Sequence, residues 1–193
     1  MKRRKVISAG SLISLSIIAG CSQLNRRTEE ENSIIEQHLT KGSSLSISGV
    51  SITANDFLIK DEITTEGGHN THTPTENKLY FLTLLKFENN SESEFELPSA
   101  SEFVMEYNNE EMPLAELSGV IETEGGRNRE VLEQKTIIPN QSHSAWIVHT
   151  LPRNYRLNQI EISFLFERED RTIRVLWSPR ERDIESRREG VDN

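Results

Sequence analysis

The sequence holds a single cysteine, Cys21, in 193 residues. An intramolecular disulfide is therefore excluded, and a core without cross-links is expected. No apolar run is long enough to cross a bilayer. Val6 to Gly20 is interrupted by Ser8, Ala9, Gly10, Ser11 and Ser14, and it is too short to span about 30 Å of hydrocarbon as a stable helix. Also missing are a Gly-x-Ser-x-Gly elbow, a His-Glu-x-x-His helix and a glycine-rich loop opening a helix. Gly67-Gly68 and Gly125-Gly126 lead into polar turns, and Ser142 and Ser144 beside His143 have no identifiable acid to orient a triad. A non-enzymatic protein without a cofactor is expected.

The N-terminus carries an address. Lys2-Arg3-Arg4-Lys5 is a basic start, and residues 1–20 read as a removable signal peptide. It ends in Ile18-Ala19-Gly20-Cys21, which resembles a lipobox, the lipoprotein motif whose cysteine is modified by a lipid and becomes the first residue. The resemblance implies lipid attachment at Cys21 and anchoring at the extracellular face of the cell membrane. Two chains on one sulfur would meet the requirement for stable anchoring. Arg3-Arg4-Lys5-Val6-Ile7 is similar to a twin-arginine signal, with Arg3 and Arg4 as the recognised pair, the other reading being a plain basic start.

Charge narrows the partners. Loss of the four basic residues in 1–20 leaves 18 Lys+Arg against 31 Asp+Glu, a net of −13. Coulomb repulsion then opposes nucleic acid and anionic headgroups, so neither is expected as a partner. Only five lysines remain (Lys41, Lys60, Lys78, Lys86 and Lys135). Acidity, scarce lysine and the signal together resemble a haloarchaeal surface protein, although the acid is mostly Glu.

Residues 21–42 read as a lipid-anchored polar tether, with Ile34, Ile35 and Leu39 at spacings that would share a helical face. As a flexible chain of this length it would reach about 25 Å. From residue 43 the pattern changes to short alternating runs with turn residues every ten positions or so, which predicts an all-β sandwich or barrel over 43–179. Eight or nine antiparallel strands are expected. Leu45 and Ile47 alternate, and the phase slips at Gly49, predicting a bulge or tight bend. Leu79 to Phe87 is apolar on both faces and reads as a central strand. Asn108-Asn109 supplies a hairpin turn, Val131 to Ile138 and Ala145 to Leu151 read as strands, and Ile160–Phe166 with Ile173–Trp177 form the clearest hairpin. The tail, 180–193, is almost wholly polar and reads as frayed or briefly helical.

Leu79–Phe87, the turn Glu88-Asn89-Asn90-Ser91, the strand Ser101-Glu102-Phe103-Val104-Met105 and the C-terminal hairpin resemble an extracellular immunoglobulin-like lipoprotein family of unknown function. The likeness covers residues 43–178. It implies an immunoglobulin-like sandwich outside the membrane and carries over no catalytic or ligand residue.

Candidate sites are few. His69 and His72, three apart in a loop, could chelate zinc or copper if other ligands join them, the other reading being a solvated loop. His149 lies within a strand and reads as a packing residue, as do Trp146 and Trp177. Glu110-Glu111 and Glu122/Glu124 read as solvated faces. Asn89-Asn90-Ser91 and Asn140-Gln141-Ser142 match the N-glycosylation sequon at expected turns. The leading expectation is a cell-surface binding module whose partner is an envelope protein or glycan. The alternative is a lipoprotein that binds a metal or small ligand through the His69/His72 loop.

Overall fold

A computed structural model describes residues 34–65, 68–123, 127–168 and 171–184. Cys21, Arg3, Arg4 and the signal lie outside them, as does most of the tether. The strands in chain order are β1 (Ile35–Leu39), β2 (Ser44–Ile47), β3 (Val50–Lys60), β4 (Ile63–Thr65), β5 (Asn70–His72), β6 (Lys78–Asn89) and β7 (Phe95–Glu96). There follow β8 (Phe103–Tyr107), β9 (Glu110–Met112), β10 (Val120–Glu122), β11 (Arg129–Glu130), β12 (Thr136–Ile137), β13 (Gln141–Pro152), β14 (Ile160–Arg168) and β15 (Arg171–Trp177). Eight of these are four residues or longer and carry the sandwich. The other seven are short pieces at its margins.

The chain is an immunoglobulin-like β-sandwich. One sheet has the order β13-β6-β3-β2 and the facing sheet β1-β15-β14-β8-β9. Between them lies the larger core, in which Phe81, Leu85, Phe87, Ala145 and Ile147 meet Phe103, Met105, Ile162, Phe164 and Trp177. Aromatic rings bridge the layers. Phe87 meets Phe103 edge-on across the layers at 6.4 Å, and within the second sheet Phe103 stacks on its cross-strand partner Phe164 at 4.3 Å.

The apolar character of β6 on both faces has a direct cause. Its even-numbered residues Tyr80, Leu82 and Leu84 face away from the main core into a second cluster with Trp146, Val148, Leu58, Ile63, Ile121 and Val131. A small sheet, β11-β10-β4-β5, supplies Ile63 and Ile121 to that cover. The β13-β6-β3 sheet is thus buried on both sides, as a continuous apolar run predicts.

Turn chemistry sets the registers. Ser48-Gly49 joins β2 to β3 with both φ angles positive (47° and 80°) and Ile47 opposite Val50, a two-residue type I′ hairpin. The phase slip at Gly49 is therefore a tight bend. Asn108-Asn109 makes the same turn between Tyr107 and Glu110. The bulge occurs instead at Asn55, between the pairs Ala54↔Leu85 and Asp56↔Leu84. It swaps the faces of β3, so Phe57 joins the main core while Asp56 turns outward.

Two expectations are corrected. The tether does not run to residue 42: Ile35–Leu39 pair in parallel with Ile173–Trp177 and extend the second sheet. Ile34 and Ile35 remain 53% exposed and only Leu39 packs on the core, so main-chain pairing rather than burial holds this strand. It is also the only parallel pair among the described strands. Val131–Ile138 is not one strand, since Val131 bridges Trp146 and only Thr136–Ile137 pair, with β7. The start of the tail is briefly helical, as expected: Glu181–Asp183 form a 3-10 turn, and buried Ile184 after it bridges Phe57 beyond the end of β2.

A Cβ on Gly49 would lie 2.9 Å from Ser91 Cα, whereas one on Gly42 (φ 78°) would meet nothing within 4 Å. Gly49→Ala should therefore lower the unfolding free energy by about 2–3 kcal/mol and Gly42→Ala by only about 1 kcal/mol. Urea titration of the two variants checks the contrast.

Candidate functional site

The cover over the outer face of β6 and β13 is incomplete at one end. Tyr80 and Thr150 are cross-strand partners there, and above them opens a groove of about 480 Å³. One wall is His72 at the end of β5 with Pro74 and Thr75; the other is Pro113 with Ala115, Glu116 and Leu117. That second wall is fastened along the edge of β13 by Ala115 N donating to Val148 O (2.8 Å) and Thr150 N donating to Pro113 O (3.0 Å). His72 is held by a 3.1 Å hydrogen bond between Nε2 and Thr65 Oγ1.

The groove pairs an apolar base with polar rims. Tyr80, Leu117 and the two prolines offer flat apolar area, and Lys78, Glu116 and Thr75 offer charge and hydrogen bonds at its edge. Burial pushes the Tyr80 phenol above its usual value of 10.0, so it stays a neutral hydroxyl. Such a surface suits a ligand with one apolar face and several hydroxyl or amide groups.

The predicted residues fare differently. His72 lines this groove; His69 is exposed in the turn before β5. No group of three His, Cys, Asp or Glu side chains gathers to hold a metal among the described residues, so the two imidazoles lack the further ligands a closed site needs. Asn140 is exposed at a turn with φ 64°. Asn89, the other sequon residue, is fully buried: its amide donates to Ser93 O (2.8 Å) and Ile137 O (2.9 Å) and accepts from Ser91 N and Oγ. Both amide hydrogens are used, so the folded chain does not present Asn89 for modification. Trp146 and Trp177 are fully buried core residues.

One charged centre was not singled out in the sequence. Asp56 is 4% exposed, yet its carboxylate takes Lys41 Nζ at 2.6 Å, the Arg127 guanidinium and the Phe57 backbone N–H at 3.0 Å. Lys41 also donates to Asp183 O at 2.8 Å. A single outward-turned carboxylate thus ties together the β1–β2 connection, the segment before β11 and the C-terminal 3-10 turn.

His149 is the one strongly perturbed base among the described residues. Buried between the sheets, it hydrogen-bonds through Nε2 with Phe103 O (3.2 Å), and its Nδ1 has no protein partner. Desolvation lowers its pKa to about 4, against a smaller opposing effect of the Phe103 carbonyl.

No protein-family profile matches the chain, and no curated protein does. Among solved structures it is similar to the yjhA protein of Bacillus subtilis, with a TM-score of 0.50, 14% identity, and 73% of this chain and 99% of that one covered. It is also similar to an uncharacterised β-sandwich protein of Clostridium difficile (TM-score 0.47, 12% identity, 78% and 98% covered). A candidate lipoprotein of Bacillus subtilis, ycdA, matches at TM-score 0.44 and 9% identity over 69% of this chain, which spans only 37% of that longer neighbour. At these identities the likeness is one of fold, and the fold is a β-sandwich.

The His149 shift fixes a pH dependence. The unfolded imidazole, near pH 6.5, binds a proton that the folded one resists until about pH 4. Stability is therefore full above pH 6.5 and falls as the pH drops toward 4. Between pH 7.5 and 5 the loss should be about 2 kcal/mol. His149→Gln, which keeps a donor for Phe103 O, should remove most of that slope in urea unfolding measured across this range.

Proposed function

We propose that this chain is a non-enzymatic binding module of the cell envelope, anchored through a lipid on Cys21 and using the groove above Tyr80 and Thr150 to hold an envelope protein or glycan. The observation that carries the reading is the groove itself. Elsewhere the outer face of the central sheet is sealed by β4, β10 and Val131, but here an aromatic side chain and two prolines sit beneath charged and hydroxylated rims. The lipobox-like Ile18-Ala19-Gly20-Cys21 supplies the address, and the Arg3-Arg4 pair suits export of a folded, disulfide-free domain. Extracellular placement rests on those residues.

Two experiments test the reading. The membrane-bound protein should begin at Cys21 and carry a lipid-sized mass increment, and Cys21→Ser should release it to the soluble fraction; an unmodified, still membrane-bound chain refutes the anchor. Capture from intact envelopes tests the groove. Thr75→Trp with Glu116→Arg should abolish recovery of the partner, whereas Glu161→Lys, placed on the opposite sheet, should leave it unchanged. Equal capture by all three proteins would remove the groove from the mechanism.

A further inference from the structure

A second concavity, of about 490 Å³, lies at the other end of β13. It brings Arg129, Glu130 and Lys135 together with Ser142, His143 and Ser144. The parallel bridge Val131↔Trp146 and the bond from Leu132 N to Trp146 O (2.8 Å) lay residues 129–132 alongside β13. Two residues back along both chains, Arg129 stands level with Ser144. Lys135 enters from the following segment, whose backbone is pinned by Leu97 N donating to Lys135 O (2.8 Å).

The charge balance here is the reverse of the chain's. Against a formal net of −9 for the whole sequence, this hollow has two permanent cations, one imidazole and one carboxylate. Glu130 is only loosely engaged, its Oε2 lying 3.7 Å from Lys135 Nζ. Arg129 donates to the Asn128 carbonyl at 2.6 Å, and no carboxylate pairs with it among the described residues. A guanidinium with unspent donors, an ammonium and two hydroxyls converging on one hollow make the pattern that recognises an oxyanion.

We propose that this hollow binds the oxyanion group of a small acidic ligand, a sulfate or a carboxylate, between Arg129 and Lys135, with the Ser142 and Ser144 hydroxyls as further donors. The site is separate from the groove above Tyr80 and does not depend on it. His143 adds a pH dependence. Burial first, then Lys135, holds its pKa below the ordinary 6.5, while Glu130 opposes them. Acidification protonates the imidazole and adds a third positive group beside Arg129 and Lys135, with Glu130 the one carboxylate facing it.

The test is NMR titration of the full-length protein, following the His143 ring and the Arg129 side chain. Inorganic sulfate and glucuronate serve as separate probes, because neither changes charge between pH 5 and 8, with chloride at matched ionic strength as control. Saturable shifts at these residues are expected with both probes, with at least tenfold tighter apparent binding than chloride. Binding should strengthen several-fold as the pH falls from 7 to 5. Saturation by sulfate alone would identify a free inorganic ion as the ligand type; saturation by glucuronate as well, an acidic saccharide. Arg129→Gln with Lys135→Gln should abolish saturation. Glu130→Gln, which removes the one competing carboxylate from an exposed position, should tighten binding several-fold and guards against misfolding of the double variant. Shifts no stronger than those of chloride, or no tightening in Glu130→Gln, would overturn the proposal.

Discussion

The burial of β6 on both faces is the constraint from which the rest of the architecture follows. A twelve-residue strand with leucines and aromatics on each side needs two covers. The facing sheet supplies one, and short pieces from between the longer strands supply the other. Each large apolar side chain so covered is worth about 1.5–3 kcal/mol relative to exposure, so neither cover is dispensable. The bulge at Asn55 belongs to the same solution. Without it Phe57 would face outward and Asp56 would point into the main core, where a carboxylate has no cation to meet. With it, the acid lies where Lys41 and Arg127 reach it, and the two described ends of the domain are brought to one point.

The features legible in the sequence were those written by side-chain burial. Alternation in Phe103–Tyr107 and in Ile160–Phe166 against Ile173–Trp177, the two-faced run at Leu79–Phe87 and the Asn108-Asn109 turn all report directly on which side chains are hidden. The placement of His149, Trp146 and Trp177 was readable for the same reason. What was not legible is held by the main chain or by convergence from distant segments. β1 pairs through its backbone while its isoleucines stay in solvent, so no periodicity marks it. Asp56 is one of 31 acidic residues, and nothing local marks it as a buried one. Asn89 carries the composition of a surface turn but spends its amide inside the fold. The groove joins residues near 72–80, 113–117 and 150, which no linear motif relates.

Both concavities flank β13, one near Thr150 and the other near Ser144. Six residues of extended strand separate them, about 20 Å at the usual rise. Each is therefore a recess of its own along one long strand.

The parallel pairing of β1 with β15 has a mechanical meaning. A pull on the chain ahead of Ile35, directed along β1, runs lengthwise along the five-residue register that joins the two strands. Their slanted, evenly spaced bonds are then loaded in shear and must yield together, whereas a strand peeled from its end parts one bond at a time. A strand whose side chains lie mostly in solvent is therefore also a clamp, and its strength comes from backbone geometry that those side chains do not reveal.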